Sequence, residues 1–137
     1  MLWHASAKEL PIGTVLVAQP EYEARWHSES AGRVLEDLRP EGALPHRDAV
    51  FMCEDAQSTD DCGGSTDWLF GVEPLGPVVR HDLALASEID CLLSDDRTAD
   101  DPMIVDLARR YWAGEASDGP VWEHLAASAR IVSVEPW

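Results

Sequence analysis

A chain of 137 residues, 45% of them apolar, has the size of one ordinary domain and can bury a core without metal or disulfide staples. Its 26 acidic residues against 10 basic ones give a formal charge of −16, which opposes direct binding to nucleic acid or to an anionic membrane. No apolar run approaches the ~20 residues of a membrane helix, and the opening MLWHASAKELPIG has neither a basic region nor a long apolar one, so a cytoplasmic protein is expected.

In chain order, Leu2–Ala5 predicts a first strand. A turn at Pro11 and Gly13 leads to a β-branched strand over Thr14–Ala18. Ser28, Glu29 and Ser30 offer helix caps, after which Val34, Leu35 and Leu38 recur at helical spacing until Arg39 and Pro40. Trp26, in a polar stretch, reads either as core or as an exposed anchor for a partner. Ala49–Cys53 is a short buried strand, and Glu54–Thr66, with Asp60 and Asp61, is a polar loop. Asp67–Glu73 is a strand stopped by Pro74, and Leu83, Leu85, Ala86, Ile89, Leu92 and Leu93 mark a helix.

The clearest element is Asp100–Trp112. Asp100 or Asp101 caps it, Pro102 sits at its first position, and Gly114 ends it. Met103, Ile104, Leu107, Ala108, Tyr111 and Trp112 form its apolar stripe. Val121–Leu125 and a strand over Arg130–Val134 close the chain. Strands and helices without regular alternation predict one α+β domain over residues 1–137, with a mixed or split β-sheet.

Several chemistries lack their motifs. There is no GxGxxG, no phosphate-binding GxxxxGK[ST], no HExxH and no GxSxG, and the five histidines never fall at helical ligand spacing, so no metal site is expected. Cys53, Cys62 and Cys91 are odd in number and form no CxxC, which argues against a disulfide framework. Cys53 and Cys91 read as small buried residues.

Three segments carry the candidate chemistry: Trp3-His4-Ala5-Ser6 followed by Leu10-Pro11-Ile12-Gly13, then Arg47-Asp48-Ala49-Val50-Phe51, then Val121-Trp122-Glu123-His124-Leu125. Their order resembles the His–Tyr–Glu layout of the ADP-ribosyltransferase superfamily, and Phe70–Pro77 is similar to part of the small rifamycin ADP-ribosyltransferases. The resemblance implies a split, strongly bent sheet that grips NAD. It implies that His4 bonds the NAD ribose or nicotinamide amide, and that Phe51, where the family has tyrosine, stacks on nicotinamide. Glu123 would contact the nicotinamide ribose, with Asp82 a rival for the acidic role. Arg47 either steers a phosphate of NAD or pairs with a neighbouring carboxylate.

The expected activity is mono-ADP-ribosyl transfer to a protein or small-molecule acceptor. Cleaving the nicotinamide–ribose bond builds positive charge on the ribose, which a fixed carboxylate stabilises. Read by themselves, His4 is also an ordinary core or edge histidine, Phe51 a core residue and Glu123 a strand-end residue. A second expectation follows from the charge: a non-catalytic acidic protein that mimics nucleic acid and blocks a basic partner. An RNA 2′-phosphotransferase is disfavoured by the same charge.

Overall fold

The computed structural model describes residues 1–19, 31–58 and 67–137. The expected caps Ser28–Ser30, the candidate anchor Trp26, and Asp60 and Asp61 lie outside them. The described elements are β1 (Leu2–Ser6), β2 (Val15–Val17), α1 (Ala31–Asp37), β3 (Val50–Cys53), β4 (Trp68–Leu75), β5 (Val79–Asp82), α2 (Leu83–Ser94), α3 (Pro102–Trp112), β6 (Trp122–Ala126) and β7 (Ser128–Pro136). The fold is α+β.

The strands form one sheet in the order β2-β7-β4-β1-β3-β6-β5. Every pairing is antiparallel, so the expectation of a mixed sheet is corrected. Among the described strands only β5 and β6 are both consecutive in the chain and paired, and that pair too is antiparallel. β1 and β3 meet at a single pair, Trp3 with Cys53, whereas β1 and β4 are in register over five. The sheet is thus two halves, β2-β7-β4-β1 and β3-β6-β5, joined at one point.

The sheet must also bend. β6 and β7 belong to different halves, four strand spacings apart in the order, which is about 19 Å in a flat sheet. Only Ala127 lies between them, and two residue steps span at most about 7 Å. The halves therefore curl until their inner faces meet. There Leu16, Phe70, Val72 and Ile131 of one half pack with Val50, Met52 and Ala126 of the other.

Two strand limits were misread for identifiable reasons. β4 runs through Pro74 because β1 has already ended opposite Val72, leaving Pro74 with a neighbour only in β7. β5 carries one hydrophobic alternation too few to be seen, being a four-residue edge strand.

The helices cover the outer face of the β3-β6-β5 half. Leu35 of α1, Leu85 and Ile89 of α2, and Ile104, Leu107 and Tyr111 of α3 form one cluster. Trp112 donates its indole N–H to the Leu35 carbonyl at 2.8 Å, and Asp90 of α2 accepts the Ala31 N–H at 2.7 Å. α3 begins as its sequence indicates, with Asp101 accepting the Met103 N–H and Pro102 in the first turn. Gly114, at φ 75°, turns the chain out of it.

Asp82 ties these parts together. Its Oδ1 accepts the N–H of Ala84 at the start of α2 and of Val121 just before β6, and its Oδ2 accepts the N–H of Ser117. Burial pushes this carboxyl up, but the hydrogen bonds from Ser117, Val121 and Ala84 outweigh it and hold the pKa below the ordinary value. Asp82→Ala strips all three donors at once and is expected to cost about 2–4 kcal/mol, seen as a fall in the urea midpoint with the slope unchanged.

Candidate functional site

Strand alternation decides which side chains can meet. The pairs Trp3–Cys53, Cys53–Glu123 and Glu123–His81 form one cross-strand row, and side chains in such a row share a face. Phe51 lies two residues from Cys53 and is on the same, outer face, where it packs with Ala49 and Leu125 and tilts against His46 at 5.7 Å. His4 follows Trp3 and therefore lies on the opposite, inner face, where its ring stacks on Phe70 at 6.4 Å. Phe51 and Glu123 are diagonal neighbours, but the His4 side chain does not join them.

His4 does reach Phe51 through the backbone. Its Nδ1–H donates to the Phe51 carbonyl at 2.8 Å. This bond crosses the seam where the β1–β3 ladder stops, so an imidazole does the work of a missing strand hydrogen bond. Burial pushes the His4 pKa down and the bond to Phe51 only partly offsets it. The ring is neutral with its proton fixed on Nδ1, which leaves Nε2 as an acceptor.

Glu123 is fully buried, and neither carboxylate oxygen has a hydrogen-bond partner among the described residues. Desolvation pushes its pKa well above the ordinary glutamate range. Its cross-strand neighbour His81 is also buried, donates Nδ1–H to the Tyr111 carbonyl at 2.8 Å, and stacks on the Tyr111 ring at 4.4 Å. Burial lowers the His81 pKa as well, against the opposing pull of that bond. Burial thus disfavours the charged form of both members of the pair.

Of the assisting residues, Asp82 has both carboxylate oxygens engaged by backbone donors. Arg47 stands exposed on the short turn His46–Asp48, away from any ion pair among the described residues. Cys91 is an exposed free thiol, which corrects its reading as a buried residue. The turn of α2 that carries it rotates it off the apolar stripe of Leu85, Ala86 and Ile89. Cys53 is buried as expected but is disulfide-bonded, against the reading from cysteine count.

The sequence reading missed two groups. Glu54 accepts from His124 Nε2 at 2.7 Å on the inner-face side, where Met52 pairs with His124. The second is the aromatic nest of His46, His81, Tyr111 and Trp112, in which His46 Nε2 and the Tyr111 hydroxyl lie 2.9 Å apart. The spacing of α3 had marked Tyr111 as apolar stripe, but nothing local marks the histidines as its partners. No cluster of three metal-ligating side chains occurs, and no helix is long and apolar enough to cross a membrane, among the described residues. No protein-family model matches the chain, and no curated protein matches it.

Glu123 supplies a pH test. Its folded pKa lies above the unfolded one, so its contribution to stability is fully present below the ordinary carboxyl range and is lost as pH rises through the raised value. Urea midpoints of the wild type should fall as pH rises from about 4.5, and Glu123→Met should flatten that fall and add about 1–3 kcal/mol at pH 8. A midpoint at pH 8 that drops in Glu123→Met would show an unseen favourable partner for the carboxylate.

Proposed function

We propose that the chain is an NAD-dependent mono-ADP-ribosyltransferase whose site lies at the seam of the bent sheet. The observation that carries this reading is His4: a neutral, tautomer-fixed imidazole at the one point where the two half-sheets separate. Its Nε2 is suited to accept from a ribose hydroxyl or a carboxamide N–H. The inner face beside it is polar at its rim, with Ser6, His124 and Glu54 at least partly accessible.

In this reading the roles expected for Phe51 and Glu123 change. The Phe51 side chain packs on the outer face, so it shapes the seam through its carbonyl rather than by stacking on nicotinamide. Glu123 is fully buried, and that burial disfavours the negative charge the reaction requires. The electrostatic role passes to Glu54, an exposed carboxylate held by His124.

A second reading rests on a separate observation. Between Glu88 and Asp106 there are seven acidic residues and one arginine, so α2, α3 and their connection present a dense negative surface. That surface suits a non-catalytic protein that occupies a basic partner.

Calorimetry with NAD, with nicotinamide release followed in the same sample, separates the two. The transferase reading expects saturable binding, weakened about ten-fold or more in His4→Ala. Release should be slowed in Glu54→Gln while binding is retained. Binding should stay level further into acid than an ordinary histidine would allow, because burial lowers the His4 pKa. No heat at millimolar NAD rejects the transferase reading and leaves the acidic blocker.

A further inference from the structure

Cys53 and Glu123 stand directly opposite each other on β3 and β6, so their side chains lie on one face. Opposite residues bring their Cβ atoms to about 5 Å. Both are in the core: Cys53 is 1% exposed and packs with Leu83 and Val121, and Glu123 is wholly buried. The sulfur is disulfide-bonded. Neither carboxyl oxygen has a hydrogen-bond partner among the described residues. Cys53 is the last residue of β3, and exposed Glu54 and Asp55 follow it, so the pair lies close to the surface along the chain.

A disulfide sulfur carries no proton, whereas a thiol donates one and a thiolate accepts one. An acid left unpaired beside a disulfide therefore gains a partner when that bond is reduced. The other titratable groups of this layer are already committed. His81 donates to the Tyr111 carbonyl, His46 Nε2 meets the Tyr111 hydroxyl, and backbone N–H groups take both oxygens of Asp82. No lysine or arginine is buried among the described residues, so no buried cation compensates Glu123.

We propose that the Cys53 disulfide is a redox-active site that exchanges with a dithiol, and that Glu123 passes its proton to the Cys53 sulfur on reduction and takes it back on oxidation. Because Cys53 Sγ is buried, a thiolate of the dithiol attacks the bond's other sulfur. The S–S bond breaks, its electron pair goes to Cys53 Sγ, and the carboxyl proton follows. The dithiol's second thiol then displaces the mixed disulfide, which frees the second protein thiol and leaves the dithiol oxidised to a disulfide. The proton shed by the attacking thiol restores Glu123. Two electrons and two protons pass to the protein in all. A bare thiolate is costly in an apolar pocket, and a carboxyl that burial holds toward its protonated form removes that cost. Glu123 has no role in the transferase reading, so failure of either leaves the other standing.

Reduction of the full chain by dithiothreitol tests this, in a Cys91→Ser background that removes the exposed free thiol. Samples are quenched in acid, alkylated and weighed by mass spectrometry, and each rate is divided by the dithiothreitol thiolate concentration. With Glu123 present, the normalised rate should be level in acid and fall as pH rises through the raised carboxyl pKa, because the donor is lost. Glu123→Gln should be about ten-fold slower or more in acid and should lack that fall. Glu123→Met, folded by circular dichroism, should behave in the same way, which separates loss of the donor from a defect of one variant. Asp55→Asn, at an exposed carboxylate two residues from Cys53, should keep the full profile. A disulfide that dithiothreitol reduces only after unfolding in urea, an unchanged profile in both Glu123 variants, or loss of the profile in Asp55→Asn would each overturn the inference.

Discussion

Three backbone N–H groups from three separate segments converge on the carboxylate of Asp82, and the arrangement of the helical half depends on that convergence. β5 hands over directly to α2 at this residue, with no loop between them. A helix start leaves orphan donors, and a strand end leaves a chain free to diverge. One side chain answers both needs, and it also fixes the return segment that delivers β6 beside β5. With β6 in place, Leu125 seals Phe51 and Ala49 beneath the helices, and Glu123 is carried into the interior.

That last step has a cost the fold accepts. An uncompensated charged acid in the interior is unfavourable, and burial pushes the pKa of this group up, toward its protonated form, beside a histidine whose pKa burial pushes down. The stacked rings of His81 and Tyr111 and the hydrogen bond from His81 to the Tyr111 carbonyl take up the polar capacity around it. The resulting layer is aromatic and uncharged, in a molecule whose exterior is strongly anionic.

Local signals carried the helices well and the site poorly. Asp101, Pro102 and Gly114 bracket α3 because capping, proline and glycine rules act within a few residues. The first four strands and the last were legible from short β-branched or apolar runs. The sheet's wholly antiparallel order was not, since strand order is a long-range property that a run of valines does not encode. The side on which His4, Phe51 and Glu123 fall was equally hidden. A residue's face depends on register, and only the pairing of Trp3 with Cys53 and of Cys53 with Glu123 reveals that His4 faces away from the other two. The pairing of Glu54 with His124 joins positions 70 apart and leaves no local trace.

A sheet joined across its middle by one residue pair and one imidazole behaves mechanically as two stiff plates on a narrow hinge. Within each plate the ladders run over several pairs, interrupted only by a register shift opposite Gly71 and Val72, so bending is concentrated at Trp3, Cys53 and His4. Ala127, the lone residue between β6 and β7, restrains the far corner, so the softest displacement is a small twist rather than a wide opening. Such a twist changes the distance between His4 and the Phe51 carbonyl first. The ring of Phe51 abuts His46, and His46 touches Tyr111 and Trp112 of α3. Strain applied at the hinge is thereby passed through rigid rings to the helical layer.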